Sequence, residues 1–254
     1  MQTRHNTILI TGGASGIGQG LANAFHALGN QVIIASRRKE ALEATTQAHP
    51  GMAFYEVDLK DAAATRTFAA KVRADFPALN ALINNSGIMR PESLLNQPED
   101  LDDMEAIVAT NLLGPLRLTA ALLPLLQQQP RATIVNVSSG LAFLPLAQTP
   151  TYCATKAALH SYTQSLRYQL KGTPIEVLEL VPPYVATDLM HGAADPRAMP
   201  LAAFIAEVMT ILETEPDRTE ICVENVKRLR FAAETGKFEA MFQGFNDAMT
   251  RQPH

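Results

Sequence analysis

Cysteine is nearly absent: 254 residues contain two, Cys153 and Cys222. They form no metal-type spacing, so neither a zinc module nor a disulfide framework is expected, and a reducing, cytoplasmic compartment is. Positive charge is not in excess either. With 21 Lys and Arg against 25 Asp and Glu, the formal net charge is −4, which gives no electrostatic footprint for nucleic acid or an anionic membrane. Long apolar runs are also missing. The longest, Leu112 to Leu126, is broken by Arg117 and two prolines, whereas a membrane-spanning helix needs about 20 consecutive, mainly apolar residues. No membrane segment is expected. The start, MQTRHNTILITGG, runs straight into a strand pattern and lacks the layout of a secretory signal. No internal repeat, low-complexity tract or linker divides the chain, so residues 1–254 are expected to form one domain that takes a small neutral or polar ligand.

What the chain does have is a regular alternation of short apolar runs with amphipathic segments. Thr7 to Ile10, Gln31 to Ala35, Ala53 to Val57, Ala81 to Ile83, Thr133 to Val137 and Ile175 to Leu180 read as strands. They are too apolar to alternate, the pattern of strands buried on both faces. Between them lie segments such as Gly18 to Leu28 and Asp61 to Phe76, long enough for right-handed crossover helices. The expected fold is α/β, a doubly wound parallel sheet with helices on both faces. Pro200 to Leu212 and Val223 to Glu234 read as helices and Glu220 to Val223 as a last strand. Residues 188–216, with the loop-like stretch Met190 to Pro200 inside them, are expected to form a substrate-side lid, and 217–254 a C-terminal strand and helix extension.

The first strand ends in Thr11-Gly12-Gly13-Ala14-Ser15-Gly16-Ile17-Gly18, and a helix follows. Glycines there allow a tight turn and let a pyrophosphate reach the helix N-terminus, where free N–H groups and the macrodipole favour an anion. A phosphate-bearing cofactor is implied. The gap between Gly12 and Gly16 departs from the tighter dinucleotide fingerprint and resembles the TGxxxGxG loop of the short-chain dehydrogenase/reductase family. That resemblance implies a three-layer Rossmann-type fold and an NADP(H) or NAD(H) cofactor held by Gly12, Ser15, Ile17 and Gly18. The second strand finishes in Ser36-Arg37-Arg38, where an acid would bind a ribose 2′-hydroxyl. No acid is there. Two guanidiniums beside a hydroxyl suit a 2′-phosphate, which favours NADPH over NADH; the competing reading is a solvated pair at a helix start. Asp58, followed by Leu59, resembles the family position that recognises the adenine amino group, with a turn-capping aspartate as the alternative.

Tyr152 and Lys156 form a YxxxK pair, on one face of a helix at i, i+4. A neighbouring ammonium favours phenolate, so the tyrosine is expected to fall from its usual ~10 toward the range of a working acid/base. Ser139 lies thirteen residues upstream, after the Thr133 to Val137 strand, where its hydroxyl could hold a substrate oxygen. Within the resemblance, Asn111 matches the family asparagine that holds a water against the lysine. Asn84-Asn85-Ser86-Gly87 is similar to the family NNAG, and Asn85 is expected to brace the sheet beside the cofactor. Val181 to Thr187 matches the stretch in which Val185 and Thr187 hold the carboxamide, although Pro183 stands where the family has glycine. Proline fixes φ and removes an N–H, so that loop is expected to be shaped differently.

The match runs from about Thr7 to Thr187. The Pro-Pro loop, the SRR end of the second strand and the tail from Val223-Glu224-Asn225-Val226 to Phe245-Asn246-Asp247-Ala248-Met249 resemble the bacterial DltE-type subgroup. The resemblance implies a carbonyl or alcohol substrate, and an apolar lining of Leu141, Phe143, Leu144, Leu146, Tyr184, Leu189 and Met190 is expected to favour a hydrophobic ketone or aldehyde. The helices containing Leu112 to Leu126 and Ala154 to Leu170 are expected to pair in a homodimer or homotetramer, as in relatives. The scattered histidines show no ligand cluster, so no metal is expected. The rival class is a catalytically silent NADP(H)-binding sensor or scaffold, which would typically have lost the tyrosine or lysine. A sugar-nucleotide epimerase would need a longer C-terminal substrate domain.

Overall fold

A computed structural model describes residues 1–96, 100–190 and 195–250, without the side chains of Met190 and Thr250. Seven strands, β1 (Thr7–Thr11), β2 (Gln31–Ser36), β3 (Ala53–Glu56), β4 (Ala81–Asn84), β5 (Ala132–Val137), β6 (Ile175–Val181) and β7 (Glu220–Cys222), form one parallel sheet. Their order is β3-β2-β1-β4-β5-β6-β7. Strand direction of winding reverses between β1 and β4, and the crevice beyond their carboxyl ends is where ligands bind in open α/β sheets.

Period-two side-chain alternation explains the continuous apolar runs. Ile8, Ile10, Val32 and Ile34 point to one face and meet Leu21 and Phe25 of α1 (Gly16–Ala27), Leu42 of α2 (Lys39–Ala48), Phe204 and Val208 of α7 (Leu201–Thr214) and Val226 of α8 (Glu224–Arg230). Leu9, Ile33, Ile134 and Val177 point to the other, against Phe68 and Val72 of α3 (Ala62–Asp75), Leu118 and Leu122 of α5 (Gly114–Leu126) and Leu166 of α6 (Pro150–Gln169). Each fully buried Leu or Ile contributes about 2 kcal/mol relative to exposure. These two cores, one on each sheet face, make the three layers.

Two features differ from the expectation. First, α4 (Asp102–Val108), a π-helical turn (Ala109–Leu113) and α5 run on as one helix of 25 residues, long and apolar enough by length and composition to cross a membrane. Pro115 does not break it. Proline brings no N–H for the Asn111 carbonyl, and the wider π turn, with Gly114 N–H bonded to Ala109 O, absorbs the lost register. The helix owes its apolarity to packing: Leu118, Leu122 and Leu126 are fully buried within the second core. Second, residues 201–214 of the expected lid are α7, an integral part of the first core. Gly20 of α1 lets Ile205 approach, since a Cβ there would stand 2.7 Å from Ile205 Cγ1. Of the segment expected as a lid, the part before Leu201 is not helix of this core, and residues 191–194 lie outside the described residues. Beyond α8, which stops at Arg230 short of the expected Glu234, a further helix α9 (Phe238–Thr250) returns toward the carboxyl end of the sheet.

Candidate active site

The glycine loop lies at the topological crevice. Gly12 and Gly16 adopt positive φ, +68° and +52°, a conformation that costs other residues about 1 kcal/mol or more. Asn85, at the end of β4, bridges the crevice: its amide Nδ2 donates to the Thr11 carbonyl at 3.0 Å, while its backbone N–H and that of Ser86 bond Thr11 Oγ1 at 3.0 and 3.1 Å. A Cβ on Gly18 would overlap the Gly12 carbonyl oxygen and the Asn85 amide. Ser15 caps α1 in extended backbone without a side-chain bond to the first turn, so its N–H groups at Ile17 and Gly18 are not taken up by a side-chain cap. A loop without Cβ atoms, closed against an uncapped helix N-terminus, fits a pyrophosphate. Thr187 faces this loop, with Cγ2 3.3 Å from where a Gly16 Cβ would lie.

At the end of β2, Ser36 Oγ accepts from the Arg38 N–H at 3.1 Å, and both Arg37 and Arg38 are exposed. Among the described residues neither guanidinium has an ion-pair or hydrogen-bond partner. Asp58 Oδ1 accepts from Lys60 N–H at 3.0 Å, so this aspartate does hold a turn, and Leu59 is buried beneath Gly114.

Four polar groups converge at the ends of β5 and α6. Ser139, Tyr152, Lys156 and Asn111 are all buried. Ser139 Oγ accepts from Leu141 N–H at 3.1 Å, which leaves its proton for another acceptor, and its hydroxyl bonds the Tyr152 phenol. Lys156 Nζ donates to the Val137 carbonyl at 2.8 Å and lies 5.6 Å from the Tyr152 ring centre. Asn111, presented by the π turn, clasps Ile88: Oδ1 accepts from its N–H and Nδ2 donates to its carbonyl, both at 2.8 Å. A Cβ on Gly87 would stand 3.5 Å from Asn111 Oδ1 and 3.6 Å from Lys156 Nζ, so the two side chains flank one small space.

The expected lowering of the Tyr152 pKa is not what this environment produces. Burial pushes the phenol up to about 12, with the Ser139 hydroxyl acting in the opposite sense. Burial also brings Lys156 down to about 8, offset in part by the charge of Glu179. Desolvation thus dominates both shifts, and at neutral pH the tyrosine is a phenol with its proton in place.

Tyr152 has an apolar surround of Met89, Leu146 and Cys153, against which Leu141, Phe245 and Met249 pack. Of the expected lining, Leu141 and Leu146 are therefore beside it. Phe143 is not. Its ring sits edge-on to His160 at 4.6 Å and under the Arg230 guanidinium at 4.3 Å, on the first-core side of the sheet, because the short turn Gly140–Ala142 swings it away. Leu144 is fully buried, Tyr184 and Leu189 are about two-fifths exposed, and the side chain of Met190 lies outside the described residues. Val185 is buried in the first core. After Pro183 the chain pairs with Met199: Met199 N–H bonds Tyr184 O at 2.8 Å and Ala186 N–H bonds Met199 O at 2.9 Å.

Sequence reasoning missed several groups here. Phe245 and Met249 come from α9, and their i, i+4 spacing was the available signal. Asn246 of the same helix accepts from Ala147 N–H at 2.7 Å, which fixes α9 to the loop before α6. Glu92 holds the first turn of α6, accepting from Thr151 N–H at 3.0 Å and Thr151 Oγ1 at 2.6 Å; nothing in the sequence marks it. Cys153 is a core thiol, its pKa raised by burial. His160 is not an isolated histidine: it, Glu179 and Glu220 bring ligand-type atoms within 4.8 Å of one another. Protein donors already engage both acids, Ser138 on Glu179 and Arg230 on Glu220.

A doubly wound sheet, a glycine-lined helix N-terminus at its switch point and a buried Ser-Tyr-Lys-Asn group at its carboxyl edge define a dinucleotide-binding oxidoreductase. The short chain dehydrogenase family model matches residues 6–198. The chain belongs to that family. It is 37% identical over 249 residues, 97% of this chain and 98% of the relative, to the uncharacterized oxidoreductase DltE of Bacillus subtilis. Among solved structures it resembles a short-chain dehydrogenase from Streptomyces avermitilis, with TM-score 0.81 and 24% identity over 98% and 99% of the two chains. A Sphingobium yanoikuyae short-chain dehydrogenase in complex with NADPH gives TM-score 0.78 and 24% identity, over 98% of this chain and 97% of that one.

Proposed function

We propose that the protein is an NADPH-dependent reductase of hydrophobic ketones or aldehydes, with Tyr152 as the proton donor. The observation that carries this reading is the buried group of Ser139, Tyr152 and Lys156 in an apolar surround, with the phenol proton retained at neutral pH. When bound, the nicotinamide supplies a hydride donor or acceptor. Gly12, Ser15, Ile17 and Gly18 bind the pyrophosphate; Asp58, Leu59, Asn85, Tyr152, Lys156, Val185 and Thr187 are the further cofactor contacts. Ser36, Arg37 and Arg38 select the 2′-phosphate, and two partnerless guanidiniums beside a hydroxyl support that choice.

On the substrate side, Ser139 turns its hydroxyl proton from the Tyr152 oxygen to the carbonyl oxygen and orients it. Tyr152 then gives up its own proton to that oxygen as negative charge develops, and a phenol held protonated suits reduction better than the reverse direction. The Lys156 ammonium stabilises the phenolate left behind, and Asn111 holds the small space beside Lys156 through which a proton returns. Leu141, Leu146, Phe245 and Met249 keep the surroundings apolar. Tyr184, Leu189 and Met190 belong to the lid that would cover the substrate. The exposed Val108, Leu113 and Tyr168 on α4 to α6 support a homo-oligomer built on those helices, and two free, buried cysteines suit a reducing compartment. Titrating NADPH and NADH against the protein by nicotinamide fluorescence tests the cofactor reading. Tighter NADPH is expected, and equal or tighter NADH would overturn it.

A further inference from the structure

Tyr152, Lys156, His160 and Gln164 recur every four residues along α6 and so form one stripe on that helix. Glu179, in β6, faces this stripe with no exposed surface. A carboxylate buried alone is strongly unfavourable. Here the Ser138 hydroxyl donates to Oε1 at 2.5 Å, and His160 Nδ1 lies 2.7 Å from Oε2. Ser138 directly follows Val137, whose carbonyl receives the Lys156 ammonium. The carboxylate, the strand end and the lysine are therefore tied together within two residues of β5.

The balance of charge around Glu179 decides what this arrangement does. Its β7 register partner, Glu220, is taken by Arg230, which donates through Nε at 2.6 Å and Nη2 at 3.1 Å and also bonds Glu234. Cys222, the other titratable side chain of β7, is held protonated by burial. On the far side of α6, the acids of α4, Asp102, Asp103 and Glu105, are exposed to solvent. His160 Nε2 lies 3.0 Å from the Gln164 side-chain nitrogen, so both ring nitrogens have a polar neighbour. Arg230 is thus committed to other acids. The Glu179 charge also acts on Lys156, whose ammonium is held at Val137, the residue next to Ser138.

We propose that Glu179, held by Ser138 and His160, is a positioning residue of the active site: the buried counter-charge that keeps the Lys156 ammonium protonated at working pH. This rests on the role given to Lys156 above. It adds a residue pair, Glu179 with His160, to the four groups of the site.

The test is an NMR titration of Lys156 in the full-length protein, with isotope-labelled lysine and Lys156→Met to assign the signal. In Glu179→Gln, which keeps the shape and the Ser138 contact, the Lys156 midpoint is expected to fall by about one pH unit. Glu179→Asp should return it most of the way to wild type. An unchanged midpoint in Glu179→Gln would overturn the proposal. Should that variant not fold, the double variant His160→Gln/Glu179→Gln, in which two amides replace the pair, carries the same expectation and the same refutation. The titration needs no turnover. Failure of the reductase reading would appear as a wild type inactive on every carbonyl, while the Lys156 midpoint still decides the part played by Glu179.

Discussion

Replacing Lys156 with methionine should abolish turnover and at the same time stabilise the folded chain near neutral pH. The Lys156 side chain is almost fully buried, with one carbonyl, that of Val137, as its hydrogen-bond acceptor. Its pKa falls from the ordinary 10.5 to about 8, chiefly through burial. That depression corresponds to roughly 3 kcal/mol of strain on keeping the charge inside the fold, at 1.36 kcal/mol per pKa unit. The sign follows from proton counting. Between about 8 and 10.5 the unfolded chain binds the proton that the folded one has released, so wild-type stability rises with pH through this window, and below it the whole cost is present. Methionine fills a similar volume without charge, but it forfeits the bond to Val137, about 1 kcal/mol, and leaves Glu179 without its cation. A net gain of about 1–2 kcal/mol near neutral pH remains, or a rise in Tm of about 3–6 °C for a chain of this size. Urea unfolding of both proteins from neutral pH to about pH 10 measures it, and the gap should narrow toward the alkaline end. A variant less stable than wild type at neutral pH, or a gap that does not change with pH, would refute the reasoning.

Arg37→Gln/Arg38→Gln should weaken NADPH binding by roughly 10- to 100-fold relative to NADH, the worth of one or two charge-assisted bonds, and leave stability within about 0.5 kcal/mol; an unchanged NADPH-to-NADH affinity ratio would count against a 2′-phosphate site. Phe245→Ala opens space beside Leu146 and Tyr152, so KM for bulky ketones should fall while kcat on small ones is kept, and an unaltered substrate range would show that α9 does not wall the site. Gly18→Ala forces a methyl onto the Gly12 carbonyl; unfolding titrations should show a loss of about 1–3 kcal/mol and weaker cofactor binding, and neutrality in both would contradict the close-packed loop.

The sheet was legible because β1, β2 and β4 to β6 are buried on both faces and therefore read as unbroken apolar runs. The glycine loop and the YxxxK pair were legible because their geometry depends on local spacing. The packing of Phe143 was not legible because a single short turn, Gly140–Ala142, decides which side of the sheet it joins, and sequence distance from Tyr152 does not encode that choice. Residues 201–214 read as lid because they follow a loop, whereas the glycine that admits their helix to the core, Gly20, lies some 180 residues earlier. The Tyr152 pKa went the other way for a similar reason. The lysine neighbour is visible in the sequence, but the burial that outweighs it is assembled from Met89, Leu146, Phe245 and Met249, four residues from distant parts of the chain. The buried pair of Glu179 and His160 likewise needs β6 laid against α6 before either residue stands out.

The most direct test follows nicotinamide absorbance with NADPH and NADH over a panel of ketones and aldehydes, using wild type and Tyr152→Phe. Turnover selective for NADPH in the wild type, reduced by about 10²- to 10⁴-fold in Tyr152→Phe while NADPH still binds, is the expected result. Equal turnover in the two proteins would contradict proton donation by Tyr152, and NADPH binding with no turnover of any carbonyl in the wild type would contradict the reductase itself.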